Sequence, residues 1–459
     1  MNSFLPSAIL TALYTSAAFA AQTSNKPERE QWFMDQGFGM FIHWSVDSQT
    51  GAVISHSMAG ADRQYLDRFI HELPQTFNPR EFHPEDWAAL AKLSGIKYVV
   101  FTAKHHSGFC MWPTKTTDFS LTQTPFKRDI LKEVLDAFRK QGIAVGLYFS
   151  PEDFHYLYRH NIPIGRLQHN LHYPANNPGL MQLDKKQLKE LLTLYGKIDV
   201  IFFDGPAEQL KEYAWEIQPD IVVTRGQMKT PEQTLPQIPQ PGPWEACFTM
   251  GTDWQYKPTN DPHKSGTQII NMLIETRAKG GNLLLNVGPK PNGEIQIEQE
   301  SRLRETALWM MVNRDAIHNI RPWHIAKEGD IWFTRSKESP STVYAFVPGG
   351  DKWKYGTRKN ITVKSLKATP QTRVSVLGYG SELLEYKKGF DASVRFKNTD
   401  GGIEISAVNG LRMYTDNKWP NPVVLKLENI EYIPAPGKTT PKPDQPAPSN
   451  KPEEVEGLI

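Results

Sequence analysis

The sequence predicts an α/β fold: a (β/α)8-like barrel followed by a C-terminal antiparallel β-sandwich. Three observations carry this. Apolar strand-like runs alternate with amphipathic helix-like runs over nearly 300 of the 459 residues, which are too many for one ordinary core. Several of those runs are continuously apolar, as strands covered on both faces require. After Trp323 the texture changes to short strands separated by turn residues.

The chain opens with "MNSFLPSAILTALYTSAAFAAQTSN", apolar to Ala20 and carrying the small-x-small site "AFA" before Ala21. It lacks the usual Lys or Arg near its start. Residues 1–21 are expected to be a signal peptide, with a mature protein beginning near Ala21 or Gln22, secreted or periplasmic. No other apolar stretch is long enough to span a bilayer. Hydrophobic content is 39%, charged content 22% and net charge +2, with no dense basic run, so nothing points to a nucleic-acid partner.

The barrel is expected over 22–323. Its strand candidates are 39–45, 98–106, 144–151, 199–205, 221–226, 244–249 and 282–288. The helical stretches between them are 85–93, 129–141, 185–195, 208–217 and 267–278. Seven strands are legible; an eighth is expected to be short or irregular. No Gly-rich phosphate loop follows the first strand, which sets a nucleotide fold aside. The runs "DIWFTR", "TVYAFV", "NITVKSL", "RVSVLG", "ASVRFK", "GIEISAV" and "VVLKLENIEYI" predict a sandwich over 324–435. Residues 436–459, rich in Pro and Lys, read as a disordered tail.

Polar residues gather at the C-terminal ends of the barrel strands, where active sites of this architecture sit. The first strand ends on His43 and Trp44, the second on His105 and His106. The third carries Tyr148, the fourth ends on Asp204, the fifth on Arg225, and the sixth opens with Trp244 and Glu245. Taken singly, each has an ordinary reading: Asp204 as a helix cap or metal ligand, Arg225 as a surface ion pair. Adjacent His105 and His106 point to opposite faces of a regular strand, so both face inward only if the chain is bulged. Convergence favours chemistry. Two carboxylates amid hydrogen-bonding groups and aromatics are what glycoside cleavage needs: one attacks the anomeric carbon, the other protonates the leaving oxygen. Three His spread over two strands, without fixed ligand spacing, are weak grounds for a metal, and none is assigned; no cofactor is called for. The two cysteines, Cys110 and Cys247, are expected near the site as free, partly buried thiols.

Five blocks in order, "GMFIHWSVDS", "EDWAALAKLSGIKYVVFTAKHHSGFCMWPTKTTDFS", "KRDILKEVLDAFRKQGIAVGLYFSPEDF", "VIFFDG" and "GNLLLNVGPKPNGEI", resemble the α-L-fucosidases of glycoside hydrolase family 29. The resemblance covers about residues 31–323 and, more loosely, the β-rich C-terminus. It implies a retaining exo-glycosidase acting on a terminal sugar of a glycan, with Asp204 as nucleophile. His43, His105, His106, Tyr148 and Arg225 match sugar-binding positions. Glu245, in "PWEACFTMGTDWQY", matches a position of the acid/base, and Trp44, Phe202, Trp244 and Trp254 are the aromatics expected around the sugar. The chain departs from the family at Gln64 and Tyr65, where many members have Glu and Trp, at Phe202, where many have Trp, and in the insertion 159–177. These departures leave L-fucose and L-galactose both open as the sugar. A non-catalytic carbohydrate-binding relative is the reading of another class.

Overall fold

The computed structural model describes residues 22–165, 170–380, 389, 391–410 and 420–434. The expected leader and tail lie outside them. A first sheet holds seven parallel strands: β1 (Phe38–Ile42), β2 (Tyr98–Lys104), β3 (Ala144–Phe149), β4 (Val200–Phe203), β5 (Val222–Val223), β6 (Glu245–Thr249) and β7 (Asn282–Val287). Their order is β5-β4-β3-β2-β1-β7-β6, with every pairing parallel. The eighth element of the wall is present without forming a full strand. Lys229 and Glu232 make parallel bridges to Trp244 and Cys247, so the stretch after β5 lies along β6.

The helices that follow or flank these strands are α1 (Pro27–Gln36), α2 (Arg63–His71), α3 (Leu73–Thr76), α4 (Pro84–Leu93), α5 (Ile130–Lys140), α6 (Phe154–Arg159), α7 (Pro178–Leu194), α8 (Leu210–Ile217), α9 (Gly266–Ala278) and α10 (Ile297–Asn313). Their local causes are visible in the sequence. Asp129 caps α5 by accepting from the Lys132 N–H, and Ile130, Leu131, Val134, Leu135 and Phe138 bury one stripe. Ser265 and Gln268 form a reciprocal capping box at the start of α9.

Side-chain alternation sorts the barrel strands into two layers. Phe41, Tyr98, Val100, Tyr148, Val200, Phe202, Val222, Cys247 and Leu284 pack together inside the barrel, with Phe33 of α1 against them. Their neighbours Met40, Ile42, Val99, Phe101, Val145, Leu147 and Leu285 join the larger core shared with the helices.

The remaining strands form the sandwich. One sheet, in the order β12-β15-β10-β9-β8, joins β12 (Leu366–Val376), β15 (Val423–Tyr432), β10 (Val343–Val347), β9 (Ile331–Ser336) and β8 (Ile320–Glu328). The other joins β11 (Arg358–Val363), β14 (Gly402–Val408) and β13 (Arg395–Thr399). All these pairings are antiparallel. β8 starts three residues before Trp323, ahead of the change of texture in the sequence. Pro322, at a break in the β8–β9 register, hides its strand character. Trp309 of α10 ties the two parts together: its indole stacks on Phe346 and donates to the Pro422 carbonyl.

Candidate active site

Asp204 follows the last residue of β4, and its backbone N–H still bonds the Phe149 carbonyl at 3.1 Å. Gly205 has φ +141°, a conformation open to glycine, so the chain turns away at once and leaves the carboxylate at the barrel mouth. One oxygen accepts from the Tyr148 hydroxyl at 2.6 Å and lies 3.5 Å from Nε2 of His106. The other accepts from Arg225 at 2.8 Å. Burial by itself raises this carboxyl. Arg225, with smaller help from His106, His105 and the Tyr148 hydroxyl, outweighs it and holds the group well below the usual carboxylate range. Asp204 is therefore ionised at neutral pH, and a quarter of its side chain remains exposed.

Around it stand the other residues expected from the sequence. The Tyr148 ring lies between His105, stacked at 4.8 Å, and Phe202, stacked at 5.7 Å. Arg225 lies over the Phe202 ring at 4.7 Å. Trp254 covers His43 at 4.9 Å. The irregularity of β2 between Thr102 and Lys104 turns Lys104 outward and His105 toward the site, and His106 reaches Asp204 from the turn beyond the strand end.

Hydrogen bonding assigns the ring nitrogens. Asn286 donates its amide N–H to the Trp254 carbonyl, so its Oδ1 faces His43 and accepts from Nδ1–H at 2.6 Å. Nε2 of His43 is left as an acceptor. Nδ1 of His105 accepts from the His106 backbone N–H at 2.8 Å, so its Nε2 is a donor. Ser150 spends its proton on the Glu152 carbonyl, so Nδ1 of His106 donates to Ser150 Oγ at 2.6 Å. Burial pushes His43 down to about 4 and His105 well below its ordinary value, so both are neutral at neutral pH. The site thus offers neutral donors and acceptors, which suits hydroxyl groups.

Three expected residues are elsewhere. Trp44 has the opposite parity to His43. It packs outside the sheet against Phe77, Phe82 and Trp87, with its indole N–H on the Lys290 carbonyl. Trp244 likewise faces away from the barrel, buried against Gly281 and bonded to the Lys279 carbonyl. Glu245 does point inward, but from the wrong end. It opens β6, level with Asn282 at the start of β7, and is wholly buried, accepting from the Tyr98 hydroxyl with Thr224 nearby. Burial lifts it to about 7. At the N-terminal floor of the barrel it has no route to a leaving group at the mouth, and the acid/base role expected of it is corrected.

The second acid at the mouth is Glu232, which the sequence pattern did not single out. Arg225 donates to Asp204 with one guanidinium nitrogen and to Glu232 with the other, at 2.9 Å. One cation therefore spans two carboxylates, and Glu232 is 43% exposed on the solvent side. The available signal was "KTPEQ", the stretch just past the fifth strand end. Glu152 also borders the mouth, 3.9 Å from His106 and 2.9 Å from His172 of the insertion. The described part of that insertion ties to the loop after β1 through the Gly60 N–H and Ile164 carbonyl. Gln64 and Tyr65 lie on α2, Gln64 exposed and Tyr65 stacked on Phe69. Cys110 and Cys247 are free and fully buried; Cys247 lies 4.0 Å from Arg225, whereas Cys110 sits behind the wall beside Gln187.

Among the described residues, His105, His106 and Asp204 form a set whose ligand atoms lie within 4.8 Å of one another. The guanidinium already bonded to Asp204 opposes a dication there. No helix of the described residues is long and apolar enough to cross a membrane.

The family profile described as Alpha-L-fucosidase matches residues 10–315. The tissue alpha-L-fucosidase of Mus musculus is 29% identical over 398 residues, spanning 77% of this chain and 84% of that protein. Alpha-L-fucosidase isoenzyme 1 from Paenibacillus thiaminolyticus superposes with a TM-score of 0.69 at 28% identity, covering 88% of this chain and 99% of that one. The Thermotoga maritima alpha-fucosidase solved in complex with fucose gives 0.65 at 25% identity, over 86% and 96%.

Proposed function

This chain belongs to the α-L-fucosidase family, glycoside hydrolase family 29, and is a glycoside hydrolase; from that premise we propose that it removes terminal α-L-fucose from glycans with retention of configuration. The observation that carries the reading is the ionised Asp204, bridged through Arg225 to the more exposed Glu232. Asp204 attacks the anomeric carbon. Glu232 gives its proton to the glycosidic oxygen, and the aglycone leaves as an alcohol. A glycosyl ester on Asp204 remains. Water then adds to the anomeric carbon, its proton passes to Glu232, and Asp204 departs as a carboxylate. Two inversions give net retention.

The neutral ring nitrogens of His43 and His105 support hydroxyl recognition, and the half-buried Trp254 offers an apolar face to the sugar ring, while Phe202 packs beneath Tyr148 and Arg225. An apolar leader at 1–21 supports action outside the cytoplasm.

Aryl α-L-fucoside and aryl α-L-galactoside, assayed side by side, test the proposal. A pocket that only packs against carbon six tolerates an added hydroxyl, so the fucoside is expected to have the higher kcat/KM with some galactoside turnover. Proton NMR of the first-formed sugar is expected to show the α anomer. Preference for the galactoside would replace the sugar; a β product would replace the mechanism. No turnover of either would favour a binding protein.

A further inference from the structure

Behind the wall that presents His105 and His106 lies a charged cluster that the chemistry does not touch. Lys104, the last residue of β2, is fully buried. Its ammonium lies 2.9 Å from Asp184 of α7, 3.4 Å from Asp153, and 4.4 Å above the Phe149 ring. A buried ammonium is tolerated only when paired, and here two buried carboxylates share one. Burial pushes Asp184 up to about 7 in spite of Lys104, with a smaller push from Asp153.

The two acids differ in what else they hold. Asp184 bonds Lys104 through one oxygen, and its other oxygen has no hydrogen-bond partner among the described residues. Asp153 does more. Its second oxygen accepts from the Tyr156 N–H at 2.7 Å and caps α6. The start of α6 then grips the histidine turn, with the Phe154 N–H on the His106 carbonyl at 2.7 Å and the His155 N–H on the Ser107 carbonyl at 3.1 Å. Gly108 closes that turn at φ +86°, and a Cβ there would meet Asp153 Oδ1 at 2.2 Å. The end of β2, the turn 105–108 and the start of α6 are thus one hydrogen-bonded unit, with the Lys104–Asp153 contact at its centre.

We propose that Lys104 is a positioning residue: through Asp153 it ties the end of β2 to α6 and so aims His105 and His106 at Asp204. Asp184 neutralises Lys104 without taking part in the aim. The inference rests on the reading of these histidines and Asp204 as the sugar site.

Two near-isosteric variants separate positioning from plain stability. Asp184→Asn leaves Lys104 paired with Asp153, and is expected to keep kcat/KM on aryl α-L-fucoside within about threefold, an allowance far below the ~100-fold loss that a displacement of ~1 Å can bring. Asp153→Asn leaves Lys104 paired with Asp184 and keeps a capping oxygen, but puts an amide donor against the ammonium. It is expected to lower kcat/KM by about 100-fold, the effect of displacing reacting groups by ~1 Å. Asp153→Ser, which caps α6 but is too short to reach Lys104, should behave alike. Nitrogen-15 NMR of the free protein reads the rings directly: the His105 Nδ1 and His106 signals should move in both Asp153 variants and stay put in Asp184→Asn. Because that reading needs no substrate, a protein inactive on fucosides would still test the link. Folded Asp153 variants with unshifted rings and wild-type kcat/KM overturn the proposal. So do equal effects in Asp184→Asn and Asp153→Asn, or failure of both Asp153 variants to fold, since the cluster would then serve stability alone.

Discussion

Replacing Glu232 by Ala separates the two acids that compete for the protonating role. Its side chain is 43% exposed and bonded to Arg225, so its removal is expected to change stability by no more than about 0.5 kcal/mol. Its catalytic loss should be far larger. Protonation by a positioned acid contributes about 10²- to 10⁴-fold, or roughly 3–5 kcal/mol of barrier. That loss should fall on leaving groups that need a proton, such as sugar alcohols, and shrink below about tenfold for a dinitrophenyl leaving group, whose departure gains little from an acid. Glu245→Gln should show the reverse pattern. Glu245 is wholly buried under the Tyr98 hydroxyl, and the new amide N–H₂ has no assured acceptor, at a cost of about 1–3 kcal/mol. Its melting temperature should drop at about pH 5–6, where Glu245 is itself uncharged, while its rates change by a similar factor for every leaving group. The assay is a series of aryl and disaccharide α-L-fucosides with both variants, beside thermal melts. A leaving-group-dependent loss in Glu245→Gln, with a flat response in Glu232→Ala, would refute the placement of the acid at the mouth.

Three further outcomes follow from the site. Asp204→Gly should abolish turnover, and azide should restore part of it with an inverted glycosyl azide as product; a folded variant with wild-type rate would remove Asp204 from the reaction. Arg225→Met takes away the cation that holds Asp204 below the ordinary carboxylate range, so the acid limb of kcat/KM should move to higher pH, and an unmoved limb would show that another group sets it. Asp47, fully buried beside the Ser45 and Ser57 hydroxyls, is pushed up to about 7 by burial, which outweighs their hydrogen bonding. A carboxyl raised in the folded state favours folding at low pH and loses that advantage between its unfolded value near 4 and about 7, so it costs on the order of 4 kcal/mol above pH 7. Asp47→Asn should therefore raise the melting temperature at pH 8 and leave it almost unchanged at pH 4. Equal shifts at both would refute the assignment.

The fold class and the greater part of the site were legible because they depend on local pattern. Apolar runs such as "YVVF" and "VIFF" specify buried strands wherever they fall, and a period of two carries each strand's inward face to its end: Phe41 to His43, Phe202 to Asp204. The same period already separated Trp44 from His43 and Trp244 from Glu245, and placing both tryptophans at the sugar ignored it. Other features were decided by tertiary structure. Glu245 lies at the floor because β6 begins there, and a strand's start is set by pairing with β7, a contact distant in sequence. The bulge that turns His105 to the site arises from register against β3, and His106 follows from the turn beyond the strand end. Glu232 reaches the mouth because its segment lies along β6 while Arg225 spans to Asp204. Alternation along one strand is a property of the chain itself; the height of one strand against the next is a property of the closed sheet, and this is why Asp204 could be placed at the mouth from the sequence and Glu232 could not.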